Sequence, residues 1–295
     1  MSDVIYSHEV GMQINGLTKA VMEIIREGDM PTAHIPDYEF RENGQYEWKL
    51  YFAHDSSPRL NISALERNAS VVLPEQRIWD IIKLCNLLSE RSFQENGLYS
   101  VHAAAFELNG NGVLVLGESM AGKSTLLLEV LGHYGANLIG TEQVIVSEQH
   151  LLVGGTRSIA SRKGSFDFFH KDLKNRIKKI HKSGRLLFDA ESLGVREVHN
   201  IPLKVVLYPK VTVVHAPEKY EINRNTKKYL LGKNLGEGIH GLDSICDQTV
   251  PLQSLDTSEI RYRRLQTANH IAESIPFFLI AGTPSSILEN VLEEL

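Results

Sequence analysis

The hydrophobic positions in the N-terminal third of the chain follow helical and strand periods in turn. Apolar residues at helical spacing over positions 12–25 predict an amphipathic helix that ends near Gly28. Alternation over positions 46–53 predicts antiparallel strands. A second helical pattern over positions 78–88 predicts another helix. We therefore expect a smaller N-terminal α+β region that covers residues 1–97.

From residue 98 to residue 295 the pattern is typical of a larger α/β domain. A strand is predicted over positions 100–108, and the Asn-Gly turn at 109–112 connects it to a short apolar strand at 113–116. Apolar residues then continue at helical spacing over positions 126–131. Because a tight hairpin pairs its strands antiparallel, we expect a mixed sheet rather than a purely parallel one.

The loop between this strand and this helix carries the clearest chemical motif in the chain. Residues 117–125 match the phosphate-binding pattern G-x-x-x-x-G-K-[ST], known as a P-loop. Its glycines let backbone N–H groups converge on phosphate oxygens, Lys123 reaches the β- and γ-phosphates, and the Ser124 hydroxyl binds Mg²⁺. The predicted cofactors are therefore ATP (or GTP) and Mg²⁺; the alternative is a Gly/Ser turn between two core elements. The predicted cofactor-binding residues are Gly117, Ser119, Ala121, Gly122, Lys123, Ser124 and Thr125.

Composition and charge fit an ordinary globular protein and narrow its partners. Hydrophobic residues make up 42% of the 295 residues and charged residues 23%, which disfavours long disorder. No apolar run approaches the roughly 18 residues that span a bilayer, and the first residues do not resemble a signal peptide, so we expect a cytoplasmic protein without a membrane partner. The net charge of −5 argues against general nucleic-acid binding. Cys85 and Cys246 are expected to be buried thiols rather than a disulfide.

Three segments of the larger domain resemble the core of the HPr kinase/phosphorylase family. They are residues 98–105, 113–125 and 136–144, and the segment 275–286 is similar to the C-terminal end of HPr-kinase-related proteins. The resemblance implies an α/β fold with a mixed-sheet P-loop core of HPr kinase/phosphoenolpyruvate carboxykinase type. It also implies an ATP- and Mg²⁺-dependent kinase that transfers the γ-phosphoryl group to an alcohol.

The resemblance assigns roles to two residues near the P-loop. His102 would lie on the strand beside the loop and contact the phosphate site. The family has two adjacent aspartates where this chain has Thr141 and Glu142, and a threonine cannot act as a carboxylate base. Glu142 is therefore the candidate base and, with Ser124, the candidate metal ligand. The alternatives are a strand-end surface carboxylate for Glu142 and a satisfied core histidine for His102.

An arginine-containing loop follows at positions 154–163. Arg157 or Arg162 would stabilise the charge on the transferred phosphoryl group, and solvated arginines in a turn are an equally good interpretation. Glu118, inside the P-loop, is expected to point to solvent or to a basic partner, because a carboxylate repels phosphate. The predicted catalytic residues are Glu142, His102, Lys123 and Arg157.

Positions 162–185 carry nine Lys or Arg residues against two Asp residues, in a chain that is acidic overall. This basic segment is either a solvated face or a docking surface for an acidic protein or peptide. The acceptor hydroxyl would belong to a protein, a peptide or a small molecule, and a homo-oligomer is compatible with the sequence. Two other functions stay open: a nucleotide-binding regulatory or scaffold protein that has lost catalysis, and an NTPase coupled to a partner.

Overall fold

The computed structural model describes residues 3–180, 184–214, 217–240 and 243–295. Within these residues the chain forms a mixed α/β protein with two large sheets. Each large sheet contains both parallel and antiparallel neighbours, so the predicted mixed α/β class is confirmed.

The N-terminal elements form a six-stranded sheet with three helices. The strands are β1 (Asp3–Ser7), β2 (Val10–Asn15), β3 (Glu39–Glu42), β4 (Trp48–His54), β5 (Arg59–Ser63) and β6 (Asn68–Leu73). The helices are α1 (Lys19–Glu27), α2 (Asp29–His34) and α3 (Ile78–Glu95). The spatial order of the strands is β3-β1-β2-β4-β6-β5.

Two predictions for this region need correction. The first helix ends where predicted, at Gly28 in the left-handed conformation (φ 76°), but it begins at Lys19, because Met12 belongs to β2 and is buried in the sheet core. The strand that covers the alternating segment, β4, pairs in parallel with both β2 and β6, so the antiparallel prediction for it is wrong. The chain passes through α1 and α2 between β2 and β4, and such a crossover returns a strand in the same direction.

The rest of the chain contributes fourteen described strands. They are β7 (Leu98–Val101), β8 (Ala104–Leu108), β9 (Asn111–Val115), β10 (Asn137–Gly140), β11 (Val144–Ser147), β12 (Leu151–Gly155), β13 (Ile159–Arg162), β14 (Lys179–Ile180), β15 (Arg185–Phe188), β16 (Ile201–Val211), β17 (Glu218–Glu221), β18 (Ser244–Ile245), β19 (Val250–Pro251) and β20 (Phe277–Gly282). Nine of them form the second large sheet in the order β10-β8-β9-β16-β12-β11-β7, with β20 paired to β16 and β17 paired to β20. A small sheet has the order β13-β15-β14, and β18 pairs with β19.

Six further helices and two 3₁₀ turns accompany these strands in the described residues. The helices are α4 (Lys123–His133), α5 (Lys163–Phe169), α6 (Ala190–Leu193), α7 (Arg224–Gly236), α8 (Ser258–Ser274) and α9 (Pro284–Leu292). The 3₁₀ turns cover Lys171–Arg176 and Glu237–Ile239. No helix in the described part of the chain is both long enough and apolar enough to cross a membrane.

The predicted hairpin is present between β8 and β9. Leu108 pairs with Asn111, and both residues of the connecting turn, Asn109 and Gly110, have positive φ, as a two-residue hairpin turn of type I′ requires. The β8–β9 pair is antiparallel, whereas β9 and β16 run parallel, which makes the sheet mixed as expected.

The predicted single strand over 100–108 is instead two strands that lie apart in the sheet. β7 pairs with β11, and β8 lies between β9 and β10. The chain bends between them at His102 and Ala103, where the Ala103 N–H donates to the Glu142 carbonyl oxygen at 3.2 Å. Apolar periodicity continues through this bend because both strands are buried, so the break leaves no signal in the pattern.

Strand β9 shows how the second sheet builds three layers. Its alternate residues Val113 and Val115 pack in one apolar cluster with α4 and α9, and Leu114 packs on the opposite face with α7 and α8. Because strand side chains alternate between faces, β9 is buried on both sides, and the loop that follows it emerges at the edge of a rigid core.

The N-terminal sheet shares its core with later elements. Trp48 and Leu88 belong to the same buried cluster as Ile145 of β11 and Ile260 of α8. The predicted boundary between residues 97 and 98 stays a prediction. Both cysteines are free; Cys85 is buried in this cluster, as predicted, and Cys246 is half-buried.

Candidate active site

The loop 117–122 connects β9 to the N-terminus of α4. Gly117 and Gly122 have φ of 147° and 98°, values that side-chain-bearing residues rarely adopt. A Cβ atom on Gly122 would also lie 2.3 Å from Cγ2 of Val211. The loop therefore depends on both glycines for its path, and it ends where the first N–H groups of α4 have no helical carbonyl partner.

Lys123, the first residue of α4, is a buried lysine that folds back over the loop. Its Nζ donates to the carbonyl oxygen of Gly117 at 2.7 Å and to that of Glu118 at 3.4 Å. Burial lowers the pKa of Lys123, and the carboxylates of Glu142 and Glu118 oppose that shift. The ammonium group is thus held at the centre of the loop by carbonyl oxygens alone, with negative side chains nearby.

A cavity of about 400 Å³ opens beside this loop. Several predicted site residues line it together: His102, Ser119, Gly122, Lys123, Ser124, Thr125 and Glu142. Further lining residues are Glu118, Met120, Ala160, Ser161, Arg162, Ser165 and Arg185. Gly117 and Ala121 lie in the loop but do not line the cavity. The structure thus brings together residues that are far apart in sequence, from four segments of the chain.

Glu142 follows β10 at the end of the strand, and a buried hydroxyl network fixes its backbone. The N–H groups of Glu142 and Gln143 donate to Oγ1 of Thr156 at 2.8 and 3.1 Å. The Thr141 hydroxyl donates to the carbonyl oxygen of Ser158 at 3.0 Å and lies 2.9 Å from Thr156 Oγ1. Because the Thr141 proton is used on Ser158, the Thr156 hydroxyl is the donor between the two threonines. Thr141 is therefore a positioning residue for the neighbouring carboxylate.

The electrostatic environment of Glu142 favours its protonated form more than water does. Burial raises the pKa of Glu142, and the positive charges of Lys123 and Arg185 partly oppose the shift. A carboxylate whose pKa is moved toward neutrality is suited to accept a proton from a substrate.

His102 is a neutral imidazole at neutral pH. Burial, and next the charge of Lys123, lower the pKa of His102 to about 4. It lines the cavity from the bend between β7 and β8 rather than from within a strand. A neutral imidazole offers one N–H donor and one acceptor nitrogen, so it is suited to hydrogen bonding rather than to charge neutralisation.

The structure does not bring Arg157 to the cavity. Its guanidinium lies 3.8 Å from Asp37 and 3.4 Å from Glu197, which hold it against the N-terminal region. Arg162 and Arg185 line the cavity instead. They are direct cross-strand partners in the β13–β15 pair, where two like charges are destabilising unless an anion lies between them.

Sequence reasoning considered Arg162 and did not single out Arg185 as a site residue. Arg185 is 23 positions further along the chain than Arg162, and only the pairing of β13 with β15 makes the two neighbours. The spacing of charges carries no signal for that pairing, whereas a strand pairing predicted between the two segments would have revealed it.

The Glu118 side chain points away from the cavity, as predicted. It is 72% exposed, and its Oε1 accepts a hydrogen bond from Lys233 of α7 at 2.9 Å, which lowers the Glu118 pKa. This ion pair connects α7 to the loop and removes the unfavourable charge from the phosphate side.

The basic segment 162–185 forms a succession of short elements in its described part, and Lys182 lies outside the described residues. Lys178 pairs with Asp189 and Lys179 pairs with Asp29, so these two cations already have partners. Lys163, Lys171 and Lys174 are exposed. The prediction of a docking surface therefore stays a prediction that concerns these three lysines and the two cavity arginines.

A scan against models of known protein families and a search of curated proteins found no match for this chain.

Proposed function

We propose that β9, the loop 117–122 and α4 form a P-loop within a core of HPr kinase/phosphoenolpyruvate carboxykinase type, and that the protein is an ATP- and Mg²⁺-dependent kinase with an alcohol acceptor. One observation carries the proposal. The loop with its buried Lys123, the strand-end carboxylate Glu142 and two adjacent arginines all line one cavity.

The residues present fit a magnesium nucleotide. The loop N–H groups and Lys123 supply donors for the β- and γ-phosphates, and Arg162 and Arg185 supply two guanidinium groups that are adjacent without an anion of their own. Ser124 and Glu142 supply the hydroxyl and carboxylate oxygens that Mg²⁺ prefers. Bound Mg²⁺ would neutralise phosphate charge and orient the γ-phosphoryl group.

Each protein residue then has a defined part in phosphoryl transfer. Glu142 orients the acceptor hydroxyl and takes its proton, for which its raised pKa is suitable. Lys123 and the arginines stabilise negative charge on the transferred group. His102, as a neutral donor, hydrogen-bonds a phosphoryl oxygen. The hydroxyls of Thr141 and Thr156 hold the strand end so that Glu142 keeps its position.

The acceptor is proposed to be a hydroxyl on a negatively charged protein or peptide. Three exposed lysines, Lys163, Lys171 and Lys174, lie in the segment that also supplies Arg162 and Arg185 to the cavity. This positive surface is unusual in a chain with a net charge of −5, and opposite charges accelerate association.

The test is a transfer assay with γ-labelled ATP and Mg²⁺, with and without a cell extract. A kinase gives label on an extract component, and mass spectrometry of that component shows the gain of one phosphoryl group. Phosphate release that is independent of the extract indicates an NTPase. Nucleotide binding without turnover indicates a regulatory or scaffold protein. Either of these last two results would overturn the kinase proposal.

A further inference from the structure

A second cluster of polar side chains lies on the other half of α4, away from the loop. Glu129 and His133 are four positions apart on α4, and therefore lie on the same helix face. His170 follows α5 and precedes the 3₁₀ turn Lys171–Arg176. One ligand atom from each of these three residues lies within 4.8 Å of the other two.

His170 is fully buried and its two ring nitrogens have very different surroundings. Nε2 lies 2.9 Å from the backbone carbonyl oxygen of Thr125. A carbonyl oxygen only accepts, so Nε2 carries the proton and Nδ1 presents a lone pair in the neutral ring. Nδ1 forms no hydrogen bond with any described residue, and it lies 3.4 Å from Oε2 of Glu129.

Two acceptor atoms that face each other in a buried place repel, unless a cation or a proton lies between them. Burial lowers the pKa of His170 to about 4, so the imidazolium form is disfavoured at neutral pH. Two donor atoms of a tetrahedral Zn²⁺ site lie roughly 3.4 Å apart when each is about 2.0 to 2.1 Å from the metal. The separation of His170 Nδ1 from Glu129 Oε2 has this value.

His133 has the same arrangement of a committed and an available nitrogen. Its Nε2 lies 3.3 Å from Oδ2 of Asp172. When Nε2–H donates to that carboxylate, Nδ1 keeps its lone pair. Metal-bound histidines usually donate their second N–H to a carboxylate or a backbone carbonyl. Asp172 and the Thr125 carbonyl supply one such acceptor to each histidine.

We propose that Glu129, His133 and His170 form a Zn²⁺ site that joins α4 to the segment after α5. Two imidazoles and one carboxylate are a ligand set that suits zinc, with water in the remaining position. The inference does not rest on the proposed kinase function. The site would fix the segment 163–176, which carries Ser165 at the cavity wall, against the helix that begins at Lys123.

The test uses the full-length protein, stripped of metal with a chelator and free of nucleotide. Zn²⁺ alone is titrated in competition with a chromophoric chelator, and thermal unfolding is followed with and without Zn²⁺. The wild type is expected to bind one equivalent at micromolar concentration and to unfold at a higher temperature with Zn²⁺. His133→Ala and Glu129→Gln should each weaken the affinity at least about tenfold and remove the thermal shift, since even the loss of a supporting residue costs this much.

His133 is exposed and Glu129 is half-buried, so both variants are expected to fold, which circular dichroism checks directly. His270→Ala is the matched control, because His270 is an exposed helical histidine on α8 and should leave zinc binding unchanged. The inference is overturned if the wild type binds no zinc, as a proton shared between Glu129 and His170 predicts. It is also overturned if His133→Ala and Glu129→Gln bind zinc as tightly as the wild type does.

Discussion

At the scale of single residues, the account depends most on Glu142. Its backbone is fixed by Thr156, and its side chain faces the cavity with a raised pKa. Glu142→Gln keeps the shape and removes both the charge and the proton-accepting oxygen. We expect kcat for phosphoryl transfer to fall by about 10² or more, with a smaller effect on nucleotide affinity.

Steady-state kinetics and calorimetric nucleotide titration check this prediction side by side. Glu191→Gln is the control, because Glu191 is an exposed carboxylate in the first turn of α6. A Glu142→Gln protein that turns over at the wild-type rate would reduce Glu142 to a strand-end carboxylate without a chemical role.

Thr141 gives the second residue-scale prediction. Its buried hydroxyl donates to the carbonyl of Ser158, and an aspartate at this position has no proton to donate at neutral pH. Thr141→Asp should therefore destabilise the fold by about 1 to 3 kcal/mol, with Thr141→Ser close to the wild type. Chemical denaturation measures both variants. Equal stability of the aspartate variant would show that the strand end adapts to a second carboxylate.

At the scale of elements, the β13–β15 pair gives a prediction about anion binding. Arg162 and Arg185 repel each other across the two strands, and a bound phosphate would relieve the repulsion. Arg185→Gln should leave the nucleotide-free protein as stable as the wild type or slightly more stable. It should also lower kcat/KM for ATP by on the order of tenfold, because a charged hydrogen bond contributes about 1.5 to 3 kcal/mol.

Thermal unfolding without nucleotide and kinetics with ATP separate these two effects. Lys174→Gln removes an exposed cation from the same basic segment and should change neither quantity by more than a small factor. Loss of stability in Arg185→Gln without a kinetic change would mean that this arginine is structural.

The elements also show what the sequence can predict. The loop 117–122, the hairpin before it and the helix α4 were predictable, because a glycine motif, an Asn-Gly turn and helical spacing are local signals. The break at His102, the parallel pairing of β4 and the cross-strand contact of Arg162 with Arg185 were not predictable from local pattern. Each depends on which strands become neighbours, and apolar periodicity is the same for either neighbour.

At the scale of the whole molecule, a buried polar network joins α3 to α8. Glu90 accepts hydrogen bonds from Gln94 Nε2 at 2.6 Å and from the Ser100 N–H at 3.0 Å. Arg264 of α8 donates to Gln94 Oε1 at 2.6 Å. Burial raises the pKa of Glu90 from 4.5 to about 8, against the opposing hydrogen bonds and the charge of Arg264.

The raised pKa makes stability depend on pH in a defined direction. Between pH 4.5 and 8 the folded protein keeps the Glu90 proton that the unfolded chain has lost, so this group's contribution to stability falls as pH rises. The free energy of unfolding of the wild type, minus that of Glu90→Gln, should decrease by up to about 1.4 kcal/mol per pH unit in this window. Denaturant titrations at several pH values measure it, and a difference that stays constant or grows would contradict the assignment.

The central claim is that the loop 117–122 and Lys123 bind a nucleotide polyphosphate, and calorimetric titration with ATP and Mg²⁺ tests it most directly. The wild type should bind one equivalent, and Lys123→Ala should bind at least tenfold more weakly while it remains folded, because a charge-assisted contact of about 1.5 to 3 kcal/mol is lost. Lys171→Ala, which removes an exposed lysine from the basic segment, should bind like the wild type. A wild-type protein that does not bind, or a Lys123→Ala protein that binds with unchanged affinity, would contradict the claim.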